Sequence, residues 1–302
     1  MPPITQHVER HFKNRGVQID LPATYEALER ESLARVGALA VRYPKTYQMW
    51  DLLNNDPEAL ANWDMADYMA VNKLNYNDHG HTHAMITASN GMVMFDLLRE
   101  AGLIPDVVSS GAGDFDDSCL TVVAATLLHD IGNQVHRKYH EMMGIGLART
   151  ILDRLMPKVY PTIEQRVELR AFILHAILCH DFDPPPLTFE AGLVAIADGT
   201  DVTKGRGRKA FDLGKVDIHS VSALAIDEVQ IGQGAEFPVE IQIVMNNSAG
   251  IFQIEETLTK KVVHGPLAKH VTVVAVTRPE DATSDARIIQ RLTLKNGVFV
   301  AE

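Results

Sequence analysis

The chain has 302 residues, 46% of them hydrophobic and 22% charged, which allows one large or two modest globular domains. Its formal net charge of -11 argues against a broad basic face for duplex DNA, although a local basic loop is compatible with it. No apolar run reaches transmembrane length, and the residues up to Lys13 contain no apolar core of a signal peptide.

Apolar residues at helical spacing organise the N-terminal part of the chain. Residues 1–22 are polar and predict an arm or a short strand. The pattern then predicts a helix over 24–43 that Pro44 ends, a helix that opens at Asp56, and a third helix over 63–74. Gly80 breaks the next segment, so a helix that starts near His81 or Thr82 would hold His83 in its first turn.

The apolar run 122–128 carries a histidine and an aspartate, His129 and Asp130, side by side into Gly132. Adjacent side chains on a helix point about 100° apart, so near a helix end both can lean toward one point. An imidazole nitrogen and a carboxylate oxygen together suit Zn, Fe, Mn or Ni, and a carboxylate can bridge two ions. A His-Asp pair by itself is a weak signal, which other His and Asp residues at separate helix ends strengthen.

Three later helices supply such residues. The pattern predicts helices over 140–155, 163–178 and 189–197, separated by Pro157 and by the prolines at 184–186. Their ends carry His140, His175, His180, Asp198 and Asp201. Residues 103–118, between the helix of His83 and the helix of His129, predict a polar, glycine-containing loop.

The pattern changes beyond residue 202. A basic, glycine-spaced loop holds Lys204, Arg206 and Arg208. Alternating apolar residues over 239–245 and 271–275 predict strands, a helix is predicted between them over 249–264, and Asn296-Gly297 predicts a hairpin. We therefore predict an α+β fold: an all-α helical bundle over 1–210, then a small α+β domain over 211–302 in the order strand–strand–helix–strand–hairpin.

The two cysteines, Cys119 and Cys179, lie in apolar surroundings without CxxC spacing. This favours reduced thiols and a cytoplasmic protein. The apolar strands of the C-terminal domain could pack against a second copy, so we expect a homodimer, with that domain in a regulatory or dimerising role.

The histidine and aspartate pattern resembles the HD-domain superfamily of metal-dependent phosphohydrolases over about 80–202. The family's first histidine matches His83, its His-Asp pair matches His129-Asp130 followed by Ile-Gly, and its last aspartate matches Asp198. Members with two metals have two further histidines, which match His140 and His180. The chain departs from the pattern in a long loop between His83 and His129, in Asn133 where many relatives have Lys, and in lacking a Gly-Tyr-Pro signature.

The resemblance implies two divalent ions, Fe, Mn, Zn, Ni or Mg, with Asp130 as the bridge. His83, His129 and Asp198 would hold one ion and His140 and His180 the other, with His129 and Asp130 as catalytic residues. It implies hydrolysis of a phosphate ester or anhydride of a nucleotide or small phosphorylated metabolite by metal-bound hydroxide. The alternatives are a di-iron oxygenase of the same superfamily and a nucleotide-binding regulatory module without turnover.

Several assignments stay open at this point. His79 or His81 competes with His83, His136 with His140, His175 with His180, and Asp201 with Asp198. Arginine binds phosphate in a bidentate manner, so Lys204, Arg206 and Arg208 are expected to bind the substrate phosphate. His79 and His175 are further candidates for substrate binding, and no membrane or duplex DNA partner is expected.

Overall fold

The computed structural model describes residues 7–10, 19–22, 25–74, 76–203, 222–277, 291–295 and 297–301. A helical region is followed along the chain by a five-stranded sheet, which confirms the predicted α+β fold. The predicted domain boundary near residue 210 and the basic loop of Lys204, Arg206 and Arg208 lie outside the described residues, so both stay predictions.

The helices of the first region pack around one apolar core. In chain order they are α1 (Tyr25–Ala40), α2 (Pro44–Asn54), α3 (Pro57–Asp67), α4 (His81–Glu100), the short α5 (Asp106–Ser109), α6 (Phe115–Leu128), α7 (His140–Leu155), α8 (Ile163–Cys179) and α9 (Phe189–Gly199). Ahead of them, β1 (His7–Arg10) and β2 (Ile19–Pro22) pair antiparallel. A bilayer could not be crossed by any of the described helices, since none combines the necessary length and apolar character.

Helix α6 lies at the centre of this core. Every residue from Asp117 to Leu128 is buried, as expected for a helix that is apolar on all sides. A reciprocal cap fixes its start: the Asp114 carboxylate accepts from the Asp117 backbone N–H, and the Asp117 carboxylate accepts from that of Asp114. The other end of α6 therefore carries His129 and Asp130 into the interior.

The start of the chain differs from the sequence pattern in three places. Pro44 begins α2 instead of ending a helix, because the first helical position needs no backbone N–H. The two helices predicted over 56–74 form one run, since α3 continues directly into a π-helical segment, Tyr68–Lys73. The predicted loop over 103–118 contains the short helix α5.

Asp56 joins two helices through its carboxylate. It accepts from the backbone N–H of Ala59 at 2.9 Å, which caps α3, and from Nη2 of Arg154 on α7 at 2.9 Å. We expect Asp56→Ala to lower the free energy of unfolding by about 2 kcal/mol, because the cap and a charge-assisted hydrogen bond are lost together. Urea unfolding monitored by circular dichroism measures this change.

The contribution of Asp56 to the free energy of unfolding depends on pH with a defined sign. The hydrogen bond from Arg154 holds the pKa of Asp56 below its usual value. Its contribution to stability is therefore complete above the unfolded pKa of about 3.9 and is lost as the pH falls through the lower folded value.

Glu58→Ala is the control for Asp56→Ala, because Glu58 contacts Arg154 without capping α3. We expect its free energy of unfolding to change by less than about 0.5 kcal/mol. Equal effects of both variants would contradict the assigned cap.

The C-terminal part is a mixed sheet in the order β3–β4–β5–β6–β7. The strands are β3 (Ile226–Gly232), β4 (Val239–Met245), β5 (Val271–Thr277), β6 (Arg291–Lys295) and β7 (Val298–Ala301). β4 and β5 are parallel, with Ile241 opposite Val273, and the other neighbours are antiparallel. Two strands therefore precede the long connection between β4 and β5, and β6 and β7 follow β5 as an antiparallel pair.

The connection between β4 and β5 contains three consecutive helical segments, Gly250–Ile254, the π-helical Glu255–Thr259, and Lys260–Val263. We call them together the C-terminal helix. A Cβ atom added at Gly199 of α9 would lie 3.0 Å from Leu258 Cδ1, and one added at Gly192 would lie 2.6 Å from Pro266 Cγ. These two glycines lie two turns apart on the same face of α9, and they let the C-terminal part approach this helix, which ends near Asp198.

Candidate metal centre

Four buried histidines, His83, His129, His140 and His180, form a cluster, and their rings make the same pattern of hydrogen bonds. Each Nδ1 faces a hydrogen-bond acceptor, so Nδ1 carries the proton and Nε2 turns inward. The pairs are His83 Nδ1 with Asp201 Oδ2 at 2.7 Å, His129 with the Thr126 carbonyl at 2.7 Å, His180 with the Ile177 carbonyl at 2.7 Å, and His140 with the Arg137 carbonyl at 3.0 Å. Such outward hydrogen bonds are what orients metal-binding histidines.

The inward nitrogens meet in two pairs. Nε2 of His83 lies 3.2 Å from Nε2 of His129, and Nε2 of His140 lies 3.0 Å from Nε2 of His180. Two unprotonated nitrogens repel each other at this separation, and a cation bound beside each pair would remove that repulsion. This geometry fits a pair of cation sites.

The carboxylate of Asp130 lies between the two pairs. Its Oδ2 is 3.2 Å from His129 Nε2 and 3.3 Å from His83 Nε2. Its Oδ1 is 3.1 Å from His140 Nε2 and 3.9 Å from His180 Nε2. One oxygen therefore faces each imidazole pair, which is the arrangement of a bridging carboxylate.

Asp198 adds an oxygen to the first pair only. Its Oδ1 lies 3.1 Å from His83 Nε2 and 3.5 Å from His129 Nε2. Two buried donor groups result, each with its ligand atoms close enough to share one ion: His83, His129, Asp130 and Asp198, and then Asp130, His140 and His180. Mixed imidazole and carboxylate donors fit Fe, Mn, Zn or Ni, so the residues present could hold a metal.

The competing histidines lie elsewhere. His81 Nε2 contacts Asn54 Oδ1 at 2.9 Å, and His136 is exposed, with its Nδ1 accepting from the Lys138 backbone N–H. His175 Nε2 accepts from the Leu187 backbone N–H at 3.1 Å, and His175 is not among the residues that line the cavity beside the cluster. The structure thus brings none of these three to the cluster, and the candidate role of His175 in substrate binding has no support from its position.

Two competing residues lie next to the cluster in other roles. Asp201 holds Nδ1 of His83 and so orients the imidazole. His79 is buried, its ring lies 6.0 Å from the ring of His83, and it lines the cavity. Asn133, which departs from the family pattern, donates to Asp130 Oδ1 at 2.8 Å and fixes the orientation of that carboxylate.

Two residues of the site were missed by sequence reasoning. Asp181 lies beside the second pair, with its Oδ2 3.7 Å from His140 Nε2 and its Oδ1 3.8 Å from His180 Nε2. Arg137 donates to His140 Nε2 at 2.8 Å and lies 3.5 Å from Asp181 Oδ2. A signal for Asp181 existed, because His180-Asp181 is a second His-Asp pair, whereas nothing in the sequence distinguished Arg137 from a surface arginine.

The electrostatics differ between the two imidazole pairs. Burial lowers the pKa of His129, but the carboxylates of Asp130 and Asp198 outweigh it and raise that pKa to about 9. Burial and the neighbouring imidazoles lower the pKa of His180 to about 3, despite the opposing effect of Asp181. Burial raises the pKa of Asp130, yet His129 and His79 bring it well below its usual value. Both carboxylates of the first group therefore stay ionised at neutral pH, as ligands must be.

A cavity of about 410 Å³ opens beside the cluster. Its lining includes His79, Arg137, Asp181 and Asp198, and it extends to the C-terminal helix. This volume is within the range of small-molecule sites. The cavity is therefore the place where a small ligand could reach the histidine and aspartate cluster.

Comparison with known proteins gives one family match and one similar protein. The family model described as HD domain matches residues 94–203, which include every residue of the two donor groups except His83. Uncharacterized protein MJ1020 of Methanocaldococcus jannaschii is 42% identical over 211 residues, which cover 70% of this chain and 81% of that protein. No solved structure gives a significant match to the chain.

Proposed function

Since this chain belongs to the HD-domain superfamily, whose members are typically metal-dependent hydrolases, we propose that it is a metal-dependent phosphohydrolase. The substrate is a phosphate ester or anhydride of a nucleotide or of another small phosphorylated metabolite. One observation carries the proposal: the two oxygens of Asp130 each face a separate pair of inward imidazole nitrogens.

The proposed ligands follow from the two donor groups. His83, His129, Asp130 and Asp198 hold the first ion, while Asp130, His140 and His180 hold the second. Divalent ions bound there supply Lewis acidity, which lowers the pKa of water and stabilises charge on phosphoryl oxygens. The chain's own contribution is to keep the donors fixed, through Asn133 on Asp130 and through the acceptors on each Nδ1.

The cavity supports an anionic substrate. Arg137, Lys260 and Lys261 line it, although the chain as a whole carries a formal net charge of -11. These three cations offset the negative charge of Asp181, Asp198 and Glu256 in the same lining. Guanidinium and ammonium groups are the usual protein partners of phosphate, which favours phosphate chemistry over oxygen activation at this site. The predicted contacts of Lys204, Arg206 and Arg208 with phosphate remain part of the proposal.

The test combines metal analysis with a substrate panel. Purified protein is loaded with Mn, Fe, Zn, Ni or Mg, the metal is counted per chain, and phosphate release is followed from nucleotides and small phosphorylated metabolites. We expect two ions per chain and metal-dependent release of phosphate. Metal-loaded protein that releases none would refute the proposal: an oxygen-dependent product with bound iron would then indicate an oxygenase, and tight nucleotide binding without turnover a regulatory module.

A substitution of Asp201 tests whether this residue orients His83 within the first donor group. We expect Asp201→Ala to weaken metal binding about 10-fold to 100-fold, because His83 loses the acceptor that fixes its Nδ1 proton and its ring. Titration with a metal indicator measures the affinity. Glu100→Ala removes an exposed carboxylate at the far end of α4, the helix that carries His83, and should leave the affinity unchanged. Unaltered metal binding in Asp201→Ala would show that His83 needs no such support.

A further inference from the structure

We propose that Lys261, carried by the C-terminal helix, binds the phosphoryl group of the substrate, so that both parts of the chain form the substrate site. The inference deepens the proposed function and rests on it, because it takes the substrate to carry a phosphoryl group. It also gives the C-terminal part a role within the site, in addition to any regulatory or dimerising role.

The C-terminal helix forms one wall of the cavity. The residues that it contributes to the lining have the spacing i, i+3, i+4, i+7 and i+8, which places them on one helix face. They are Gln253, Glu256, Thr257, Lys260 and Lys261. A whole face of this helix, which belongs to the sheet region, is therefore turned toward the histidine and aspartate cluster.

Lys261 is a residue of that face that directly contacts the cluster. It is only 8% exposed, and its Nζ lies 2.5 Å from Asp198 Oδ2 and 3.7 Å from Asp181 Oδ1. The other oxygen of Asp198, Oδ1, faces His83 and His129. The ammonium group thus contacts the outer oxygen of a member of the first donor group, and it also lines the cavity.

This position suits a phosphoryl group better than a purely structural salt bridge. An ammonium carries three N–H donors, and a group that lines the cavity can direct a donor to a ligand while it keeps Asp198. A phosphate bound in the cavity beside Asp198 would lie near Nζ, because Lys261 and Asp198 contact each other and both line the cavity. Hydrogen bonds from a charged donor to phosphate oxygens are among the stronger ones in proteins.

Local helix geometry provides an independent observation. Within the described residues there are two π-helical segments, Tyr68–Lys73 and Glu255–Thr259, and the second contributes Glu256 and Thr257 to the cavity lining. The first lies shortly before the lining residues Asn77 and His79, and the second immediately precedes Lys260 and Lys261. Such segments are rare and occur frequently at functional sites.

The test uses the full-length, metal-loaded protein and inorganic phosphate as the probe, measured by isothermal titration calorimetry after free metal is removed. We expect Lys261→Met to weaken phosphate binding about 10-fold or more, with unchanged metal content. Lys261→Arg should restore most of the affinity. Lys269→Met removes the same charge from an exposed position outside the cavity lining and should have no effect.

Three results would overturn the inference: equal phosphate affinity in Lys261→Met and wild type, no phosphate binding by the metal-loaded wild type, or a loss of affinity that only follows a loss of metal. If Lys261→Met fails to fold, Lys261→Gln keeps a polar group beside Asp198 and must show the same loss. Failure of the proposed function is distinguishable, because a protein that binds phosphate through Lys261 but hydrolyses no substrate would refute only the hydrolase.

Discussion

Asp130→Asn is expected to reduce metal-dependent phosphate release by at least about 1,000-fold, the largest effect of any single substitution in the proposed site. The amide keeps the shape of the side chain but loses the negative charge and one of the two oxygens that face the imidazole pairs. Metal content should fall from two ions per chain to one or none. Phosphate release from metal-loaded protein and elemental analysis measure the two effects.

The control for this substitution is Asp153→Asn. Asp153 is an exposed residue of α7, the helix that begins with His140, and its partners are surface arginines. We expect the metal content and activity of this variant to match the wild type, and its stability to change by less than about 0.5 kcal/mol. If Asp130→Asn retained two tightly bound ions and full activity, the bridging role of Asp130 would have to be abandoned.

Gly132→Ala is expected to destabilise the fold by about 3 kcal/mol or more. A Cβ atom at this position would collide with the carbonyl oxygen of His140 and lie 2.6 Å from the backbone nitrogen of Gly144. Both are backbone atoms of α7, which cannot turn aside as a side chain can. The turn after the His-Asp pair must then move away from α7. This separates Asp130 from His140 and disrupts the donor group of Asp130, His140 and His180.

Gly146→Ala is the matched control on α7. An added Cβ there meets nothing within 4 Å, and the residue is exposed within the helix. Alanine should stabilise the helix by about 0.5–1 kcal/mol, because glycine loses more conformational entropy on folding. Urea unfolding of both variants gives the comparison, and metal analysis shows whether Gly132→Ala loses an ion. An unfolding midpoint of Gly132→Ala equal to that of the wild type would be incompatible with the close backbone approach.

The helix ends were predictable because local rules set them. The helices α6, α3 and α9 are each capped by a side chain that accepts from a backbone N–H of the first turn, namely Asp114, Asp56 and Thr188. Each of these residues precedes an apolar pattern in the sequence. Pro44 shows the limit of such rules. Proline ends one helix or starts another, and the residues around it fit both readings until the packing of α1 and α2 on the core is known.

The competition among neighbouring histidines could not be resolved by sequence. His79, His81 and His83 lie within five residues, and each could be placed near a helix start. In the structure His81 turns to Asn54, while His83 turns to Asp201 and His129, so the direction of each ring depends on residues far away in the chain. The same holds for His175 and His180, which turn to opposite sides of the end of α8.

The sequence by itself determined the helical and strand periods, the ends of most helices and the residue types able to bind a metal, because these depend on neighbours within a few positions. Only the tertiary structure decided which side chains converge. The contacts of Asp130 with His83 and His180, of Arg137 with Asp181, and of Lys261 with Asp198 all join residues that are far apart in the chain. A sequence pattern does not predict the distance between residues so far apart in the chain. That distance depends on how the buried faces of α6, α9 and the C-terminal helix pack together.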